Sequence, residues 1–289
     1  MDALVMSGGG SRGSWEAGAL LYLAEVRTRG FEFVSGTSVG SVNAAGIAMF
    51  PPEKFKEAVA FTVDLWKKRV TKSSDIWSLR FPLGIPGLWN ESVGKADALD
   101  GLLRDVVDVE KIRTSGVTLR MPAVDVLTGK LVEYDETSPD IVKAIMASAS
   151  FPGVFPAIED GDMWMTDGGL IDIAPLGAAI RAGASRATVL VTRDPNMVRT
   201  VTKEEMGAVH KFGYRVIDIM STAILQGDLN TCGLVNELVD AGKRPGKRKF
   251  PFDVISPSVP LGNSLDFSGD LMKRQIDQGY ADAKADWEG

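Results

Sequence analysis

The chain has 289 residues, a length typical of one large domain or two small ones. Hydrophobic residues make up 45% and charged residues 24%, so the composition excludes wholesale disorder, collagen-like repeats and a coiled coil. The formal net charge is −6, which argues against a general nucleic-acid-binding protein, because such proteins are normally basic.

Neither the N-terminus nor the cysteine content points to export. The apolar run 3–6 is too short for the core of a signal peptide, and no window approaches the ~18 apolar residues of a membrane span. Cys232 is the only cysteine, so no internal disulfide can form, and we interpret it as a small buried hydrophobic residue. These features predict a cytoplasmic protein.

The first fifty residues alternate between short apolar runs and glycine-rich turns. In chain order the pattern predicts a strand at 3–6, a glycine-rich loop at 7–13, a helix ending at Gly30, a strand at 31–35, a tight turn at 36–40 and a helix at 41–50. This alternation is typical of an α/β protein with a parallel sheet covered by helices.

The rest of the chain continues as mixed helices and strands without an internal repeat or linker. The predicted elements are a helix at 51–72, an irregular segment at 73–93, a helix at 97–107, paired strands at 117–126 and 130–134, a helix from Ser138 to about Ser148 opened by Pro139, a loop at 150–158, a strand at 163–166, a helix at 174–182, a strand at 187–192, a mostly helical stretch at 203–242 with a break near Gly227, a strand at 252–255 and a helix at 270–287. We therefore expect a single domain over 1–289, with the motifs in about 4–200 and C-terminal helices and a closing strand in 203–289.

The first chemistry-bearing element is the glycine-rich loop Gly8-Gly9-Gly10-Ser11-Arg12-Gly13 between a strand and a helix. Backbone N–H groups of such a loop converge beside a helix N-terminus, which favours a phosphate or the oxyanion of acyl transfer. The loop also fits the dinucleotide pattern G-x-G-x-x-G, but no acidic residue follows the second strand, where that fold binds ribose. A nucleotide- or anion-binding module without hydrolysis remains the alternative function.

The second element, Gly36-Thr37-Ser38-Val39-Gly40, fits the nucleophile-elbow pattern G-x-S-x-G between a strand and a helix. Glycines flank the serine because a sharp turn leaves no room for side chains, and the turn exposes the serine hydroxyl. The alternative is a β-turn in which Ser38 only caps the following helix.

Two residues compete as the base for Ser38. Asp167, in Asp167-Gly168-Gly169, follows a short strand, but an exposed aspartate has a pKa of about 3.9 and would need a water-poor site to act near neutral pH. His210 would complete a serine, acid and histidine order, but it lies on a predicted polar helix face. We favour Asp167, whose alternative is a simple Asp-Gly turn.

In this order, the three elements resemble the patatin-like phospholipases. The glycine-rich loop with Arg12 is similar to the oxyanion element of that family, the turn at Ser38 to its nucleophile elbow, and Asp167-Gly168-Gly169 to its aspartate-glycine motif. The segment from Ala147 to Pro156 also looks like the family's segment ahead of the aspartate. The resemblance extends from about Leu4 to Ala179.

The resemblance implies a three-layer α/β/α fold with a mostly parallel central sheet and a lipid acyl hydrolase. It implies a Ser38–Asp167 dyad acting through an acyl-enzyme, backbone amides from Gly9 to Ser11 holding the oxyanion, and neither a metal nor a cofactor. The expected partner is a lipid or membrane-surface substrate, with no nucleic acid. Control by a regulatory partner or a small-molecule activator stays open, as do the oligomeric state and peripheral membrane association.

Three further features have two interpretations each. Arg12 either braces its loop by pairing with a carboxylate, which we favour, or binds lipid phosphate. The apolar, proline-rich segment from Ile76 to Trp89 either packs over the core or forms a lid or docking patch. The basic cluster from Lys243 to Lys249 either is a solvated loop or touches anionic groups.

Overall fold

In the part of the chain that the structure describes, an eight-stranded mixed sheet forms the centre of the protein. The computed structural model describes residues 1–79, 92–194, 196, 201–203, 206–207 and 209–288. The strands are β1 (Asp2–Met6), β2 (Phe33–Gly36), β3 (Ser78–Leu79), β4 (Gly94–Lys95), β5 (Thr118–Asp125), β6 (Lys130–Asp135), β7 (Ile158–Asp160), β8 (Met163–Asp167), β9 (Arg186–Leu190) and β10 (Phe252–Ile255). The helices are α1 (Gly13–Val26), α2 (Val39–Ala48), α3 (Phe55–Asp64), α4 (Asp97–Val106), α5 (Val109–Thr114), α6 (Ile141–Ala149), α7 (Leu176–Arg181), α8 (Val209–Asp240) and α9 (Gly269–Glu288).

The sheet has the order β10-β9-β1-β2-β5-β8-β7, with β6 also paired to β5. Every pair from β10 to β5 is parallel, whereas β6 and β8 run antiparallel to β5, and β7 antiparallel to β8. The predicted α/β fold with a mostly parallel central sheet is therefore confirmed.

Helices cover both faces of the sheet. Along β1, Leu4 and Met6 belong to one hydrophobic core, which includes residues of α1, α2, α3 and α6. Ala3 and Val5 point to the opposite face and pack in a second core with residues of α7 and α8. Because successive strand residues face opposite sides, this division places the sheet between two helical layers.

The C-terminal helix α9 packs closely against α1. A Cβ atom added at Gly18 would lie 2.0 Å from the carbonyl oxygen of Ile276, and one added at Gly279 would lie 2.0 Å from the carbonyl oxygen of Trp15. The indole N–H of Trp15 donates a 2.8 Å hydrogen bond to Asp282. Two glycines on facing helices therefore allow the last element of the chain to cover the helix that follows the glycine-rich loop.

Several predicted elements differ from the structure. Helix α6 begins at Ile141 rather than at Pro139, because the Asp140 side chain accepts a hydrogen bond from the Lys143 N–H and caps the helix. The predicted helix 51–72 is divided into a 3₁₀ turn, α3 and a π-helical turn at Leu65–Arg69. Helix α8 continues through Gly227 without the expected break, and α5 and β7 had not been predicted.

In the apolar segment from Ile76 to Trp89, residues 80–89 lie outside the described residues, and these include Trp89. Of the described part, Ile76 is buried and Trp77 packs against the main core, with its indole N–H donating to the carbonyl of Leu265 at 3.3 Å. Packing over the core thus holds for these two residues.

The close helix contact predicts a strong effect of one added methyl group. We expect Gly279→Ala to lower the free energy of unfolding by about 1–3 kcal/mol, because the new Cβ must displace the α1 backbone at Trp15. Denaturation in urea measures this loss.

Gly233→Ala in α8 is the matched control, because no atom lies within 4 Å of a Cβ at Gly233. Alanine is a better helix former than glycine by about 1 kcal/mol, so this variant should be unchanged or more stable. Equal destabilisation by both substitutions would contradict the close α1–α9 contact.

Candidate active site

Ser38 lies on a strained turn between β2 and α2. Its φ of 56° and ψ of −124° make it the one non-glycine residue with positive φ in the described part of the chain. A Cβ added at Gly36 would lie 2.0 Å from the carbonyl oxygen of Gly40, and one at Gly40 would lie 2.5 Å from the carbonyl oxygen of Met6. The two flanking glycines therefore permit a turn that other residues would block, as the sequence pattern predicted.

Backbone hydrogen bonds hold Ser38 in this conformation, and its own side chain takes no part in them. The Ser38 N–H donates to the Ser148 hydroxyl at 3.1 Å, and the Ser41 hydroxyl donates to the Ser38 carbonyl at 2.6 Å. Ser38 occupies the N-cap position of α2, but its side chain makes no capping hydrogen bond. The interpretation of Ser38 as a helix cap is therefore wrong, and its hydroxyl is left for another role.

The order of the sheet brings the ends of β2 and β8 to the same pocket. β2 and β8 lie on either side of β5, where Ser35 pairs with Arg120 and Asp167 pairs with Ala123. Ser38 follows the end of β2 by two residues, Asp167 ends β8, and both residues line the pocket. Because β8 runs antiparallel to β5 whereas β2 runs parallel to it, the acid reaches the pocket from the opposite direction, which the sequence did not reveal.

Asp167 is buried and fixed by its own motif. Its N–H donates to the carbonyl of Ser150 at 3.0 Å, and its Oδ1 accepts the N–H of Gly169 at 2.8 Å. A Cβ at Gly168 would lie 2.3 Å from the carbonyl oxygen of Pro122, so only glycine fits between β8 and β5. Within the described residues, Oδ2 of Asp167 has no hydrogen-bond partner.

Burial raises the pKa of Asp167 from 3.8 to about 6, although hydrogen bonding from the Ser38 hydroxyl and the Gly169 N–H lowers it in part. The Ser38 hydroxyl is thus within electrostatic reach of the carboxylate. The contact is looser than a regular hydrogen bond, since Oδ2 has no hydrogen-bond partner among the described residues. Such loose contacts are common in enzymes without bound substrate.

Two residues of the glycine-rich loop line the same pocket, and their N–H groups have no acceptor among the described residues. Gly8 and Ser11 donate their N–H groups to the carbonyls of Ile173 and Ser264, at 3.1 Å and 2.8 Å. In the described part of the chain, the N–H groups of Gly9 and Gly10 have no protein acceptor, and both residues line the pocket with Ser38 and Asp167. The expectation that Ser11 also faces an oxyanion is therefore wrong, because Ser264 occupies its amide.

Arg12 and Gly13 hold the loop in place. The Arg12 guanidinium is buried, donates to the Gly262 carbonyl at 3.1 Å and lies 3.9 Å from the Asp218 carboxylate. Gly13 begins α1, where a Cβ would lie 2.3 Å from the side chain of Val39. These contacts support the bracing interpretation of Arg12, and they extend to residues that the sequence motifs did not include.

The pocket that joins these groups is mainly apolar and partly open to solvent. Gly8, Gly9, Gly10, Ser38, Asp167 and Gly169 line its polar end. The apolar lining includes Leu65, Trp66, Val70, Leu99, Leu103, Phe151, Phe155 and Phe267. An elongated apolar group can therefore be buried with its polar end next to Ser38.

The other sequence candidates lie apart from this arrangement. The side chain of His210 lies outside the described residues. Cys232 is half-buried against the second core, and burial raises the pKa of its thiol, which disfavours the reactive thiolate. The basic cluster from Lys243 to Lys249 is exposed beyond the C-terminal end of α8. About 20 helical residues, or roughly 30 Å, separate this end of the helix from Ser221, which lines the pocket.

Three residues that support the site were missed by sequence reasoning: Ser148, Asp218 and Ser264. Ser148 had a local signal, since it lies in a small-residue segment just before the Asp167 motif. Asp218 and Ser264 act across more than 200 residues of sequence, and no spacing pattern indicates such contacts. Among the described residues, no group of three or more His, Cys, Asp or Glu side chains could hold a metal ion, and no helix is long and apolar enough to span a membrane.

Comparison with known proteins identifies relatives for the first part of the chain. The family model for "Patatin-like phospholipase" matches residues 4–180. Uncharacterized NTE family proteins of Mycobacterium bovis and Mycobacterium tuberculosis are 27% identical over 180 residues, which are 60% of this chain and 44% of those proteins. The chain thus spans less than half the length of these curated relatives. The crystal structure of VipD from Legionella pneumophila is similar with a TM-score of 0.47 and 14% identity, over 99% of this chain and 66% of that one.

The raised pKa of Asp167 predicts a pH-dependent gain of stability when its charge is removed. A folded-state pKa of about 6 above an unfolded value of 3.8 means that folding disfavours the charged form. This cost is absent at low pH, grows as the pH rises from about 4 to about 6, and reaches about 3 kcal/mol above that range. Asp167→Asn should therefore unfold at higher urea concentration than the wild type at pH 8, with little difference near pH 4.

Asp125→Asn serves as a control of opposite sign. Hydrogen bonds from the Thr128 hydroxyl and the Trp164 N–H lower the pKa of Asp125, so its charged form is favoured by folding. This variant should lose stability at pH 8. A loss of stability in Asp167→Asn at pH 8 would show that the carboxylate is not held in a desolvated site.

Proposed function

This chain belongs to the patatin-like phospholipase family, and on that premise we propose that it hydrolyses acyl esters of lipids with Ser38 as nucleophile and Asp167 as base. The family implies a hydrolase of lipid esters. The observation that carries the proposal for this chain is the meeting, in one apolar pocket, of a serine hydroxyl without a structural role and a buried carboxylate with a pKa of about 6.

The first step is attack of the Ser38 oxygen on the ester carbonyl carbon. Asp167 accepts the hydroxyl proton as the bond forms, and its unpartnered Oδ2 is the oxygen free to receive that proton. A carboxylate in water is too weak a base for this step near neutral pH, and its burial brings the pKa closer to the working range.

The Gly9 and Gly10 amides then stabilise the charge on the tetrahedral intermediate. Their N–H groups lack protein acceptors among the described residues and border the same pocket as Ser38. Preorganised amides in a site poor in water stabilise a developing oxyanion without having to reorient. The hydrogen bond from Ser11 to Ser264 holds the loop so that these two amides stay exposed to the pocket.

Collapse of the intermediate breaks the ester bond, and Asp167 returns the proton to the departing alcohol. A water molecule then attacks the acyl-enzyme while Asp167 again acts as base, which releases the fatty acid and restores Ser38. The acyl chain lies in the apolar part of the pocket between Trp66, Phe151 and Phe267. Burial of its methylene groups contributes about 0.8 kcal/mol each, so lipid esters are favoured over small polar esters.

The nucleotide- or anion-binding alternative has weaker support. A phosphate-binding loop needs several converging amides, whereas here the Ser11 amide is satisfied by a carbonyl oxygen that would repel an anion. It also leaves the unused hydroxyl of Ser38 and the raised pKa of Asp167 without a role. Control of the hydrolase by a partner or a small activator remains a prediction from the sequence.

A fluorophosphonate probe distinguishes the two functions. We expect it to label Ser38 and to inactivate hydrolysis of a p-nitrophenyl acyl ester, because the probe reacts with activated serines. Ser38→Ala should remove both labelling and hydrolysis. Ser221→Ala, which changes another buried serine of the same pocket, should keep the label. Nucleotide binding without labelling of the wild type would refute the hydrolase.

The pKa of Asp167 also predicts the pH dependence of hydrolysis. Protonated Asp167 cannot accept the Ser38 proton, so kcat/KM for a soluble ester should rise about tenfold per pH unit below pH 6 and level off above it. Steady-state kinetics from pH 4.5 to 8 measure this limb.

Asp172→Asn tests the assignment, because burial and the charge of Asp228 raise the pKa of Asp172 to about 7. If Asp167 is the base, kcat/KM of this variant should decline at low pH with the same midpoint as that of the wild type. A midpoint that moves with Asp172, or a profile that is flat down to pH 4.5, would exclude Asp167 as the base.

A further inference from the structure

The first half of α8 exposes an unusual set of apolar side chains. Phe212, Val216, Ile219 and Met220 are 60%, 39%, 52% and 53% exposed, and we call these four residues the apolar stripe. Their spacing of four, three and one residues places them on one side of a helix. Exposed apolar surface of this kind is unfavourable in water, and contiguous patches usually mark an interaction site.

The pattern is confined to one end of the helix. Further along α8 the exposed positions are mainly polar, as at Gln226, Asn230, Thr231 and Glu237. On the inner side, Leu225 is fully buried in the second core, with Ile224 and Leu229 packed around it. The helix therefore follows the ordinary amphipathic pattern except where it carries the apolar stripe.

The apolar stripe adjoins the pocket that holds Ser38. Ile217, Asp218 and Ser221, which alternate with stripe residues along the helix, line that pocket. On the side of Asp167, Leu170 lines the same pocket, and both Leu170 and Ile171 are exposed. The helix that carries the apolar stripe and the exposed Leu170 therefore border the same pocket as Ser38.

The charges of this region suit a lipid surface as the occupant. Residues 209–227 contain a single acidic residue, Asp218, in a chain with 38 acidic and 32 basic residues. The Asp218 carboxylate is paired with Arg193 and Arg215 at 3.2 Å and 2.9 Å and lies 3.9 Å from Arg12. No unpaired carboxylate of this segment would thus have to be desolvated or be repelled by lipid phosphates.

We propose that the apolar stripe docks the protein onto a lipid surface, with the opening of the Ser38 pocket facing the lipid. The proposal rests on the proposed hydrolase function, because an acyl ester of a lipid lies within such a surface and has to reach Ser38 from it. A second protein copy on the stripe would cover the region beside the pocket opening, whereas a lipid layer supplies substrate there.

The test is vesicle binding by Phe212→Gln/Ile219→Gln/Met220→Gln in a Ser38→Ala background, where no lipid is consumed. Glutamine is as good a helix former as the residues it replaces, so α8 should persist, as circular dichroism can check. In flotation with phosphatidylcholine vesicles, we expect the triple variant to bind at least about tenfold more weakly than its parent, a change of about 1.4 kcal/mol.

Leu234→Gln is the matched control, because Leu234 lies on the same helix, is 55% exposed and is remote from the apolar stripe. It should bind vesicles like the parent. Equal binding by parent and triple variant, or no binding by the parent, would overturn the proposal. So would a dimeric parent and a monomeric triple variant in sedimentation velocity with vesicle binding unchanged, since the stripe would then be a contact between copies.

Kinetics with Ser38 present separate this proposal from the hydrolase itself. The triple variant should hydrolyse a soluble short-chain ester at the wild-type rate but vesicle phosphatidylcholine at least about tenfold more slowly. A wild type that binds vesicles through the stripe but hydrolyses neither substrate would refute the proposed function and retain the docking surface. Equal loss on both substrates would refute docking as the role of the stripe.

Discussion

The structure of the site depends on the burial of one carboxylate beside one hydroxyl. The Oδ1 atom of Asp167 accepts the Gly169 N–H, Oδ2 has no hydrogen-bond partner among the described residues, and burial raises the pKa of the carboxyl group to about 6. Removing a carboxylate from water costs free energy that an ordinary surface residue avoids. The fold sustains this cost because β8 pairs with β5 at Asp167 and because Gly168 lies against the Pro122 carbonyl, which fixes the backbone that carries the buried side chain.

Residues beyond 180, where the family model ends, hold the glycine-rich loop in place. The Ser264 carbonyl holds the Ser11 amide, and the Gly262 carbonyl holds the Arg12 guanidinium. Helix α9 then packs on α1 through Gly279, so the helix following the glycine-rich loop is covered from outside. The free amides of Gly9 and Gly10 consequently depend on residues about 250 positions away in sequence.

Local sequence patterns predicted the parts of the site that are built locally. Ser38 and Asp167 were recognisable because each lies near glycines at positions where a Cβ would clash with neighbouring backbone. Such glycines have to occur at a fixed spacing from the functional residue, so they form a pattern in the sequence. Competing local signals produced the errors: Pro139 suggested the start of α6, but Asp140 caps it, and Gly227 suggested a break that the packing of Leu225 overrides. The partners Asp218 and Ser264 left no mark, because a contact across the fold imposes no spacing on the sequence.

Burial of the base and binding of an acyl chain depend on the same apolar lining, and this limits how the pocket can vary. A polar side chain introduced near Asp167 would solvate the carboxylate and lower its pKa, so a change made for selectivity would also weaken the base. Ile217, Ser221 and Leu265 line the same pocket but lie after residue 180, whereas Ser38, Asp167 and the amides of Gly9 and Gly10 lie before it. The pocket is thus built from both parts of the chain, and a substitution in either part that brings a polar group close to Asp167 would weaken the proposed base.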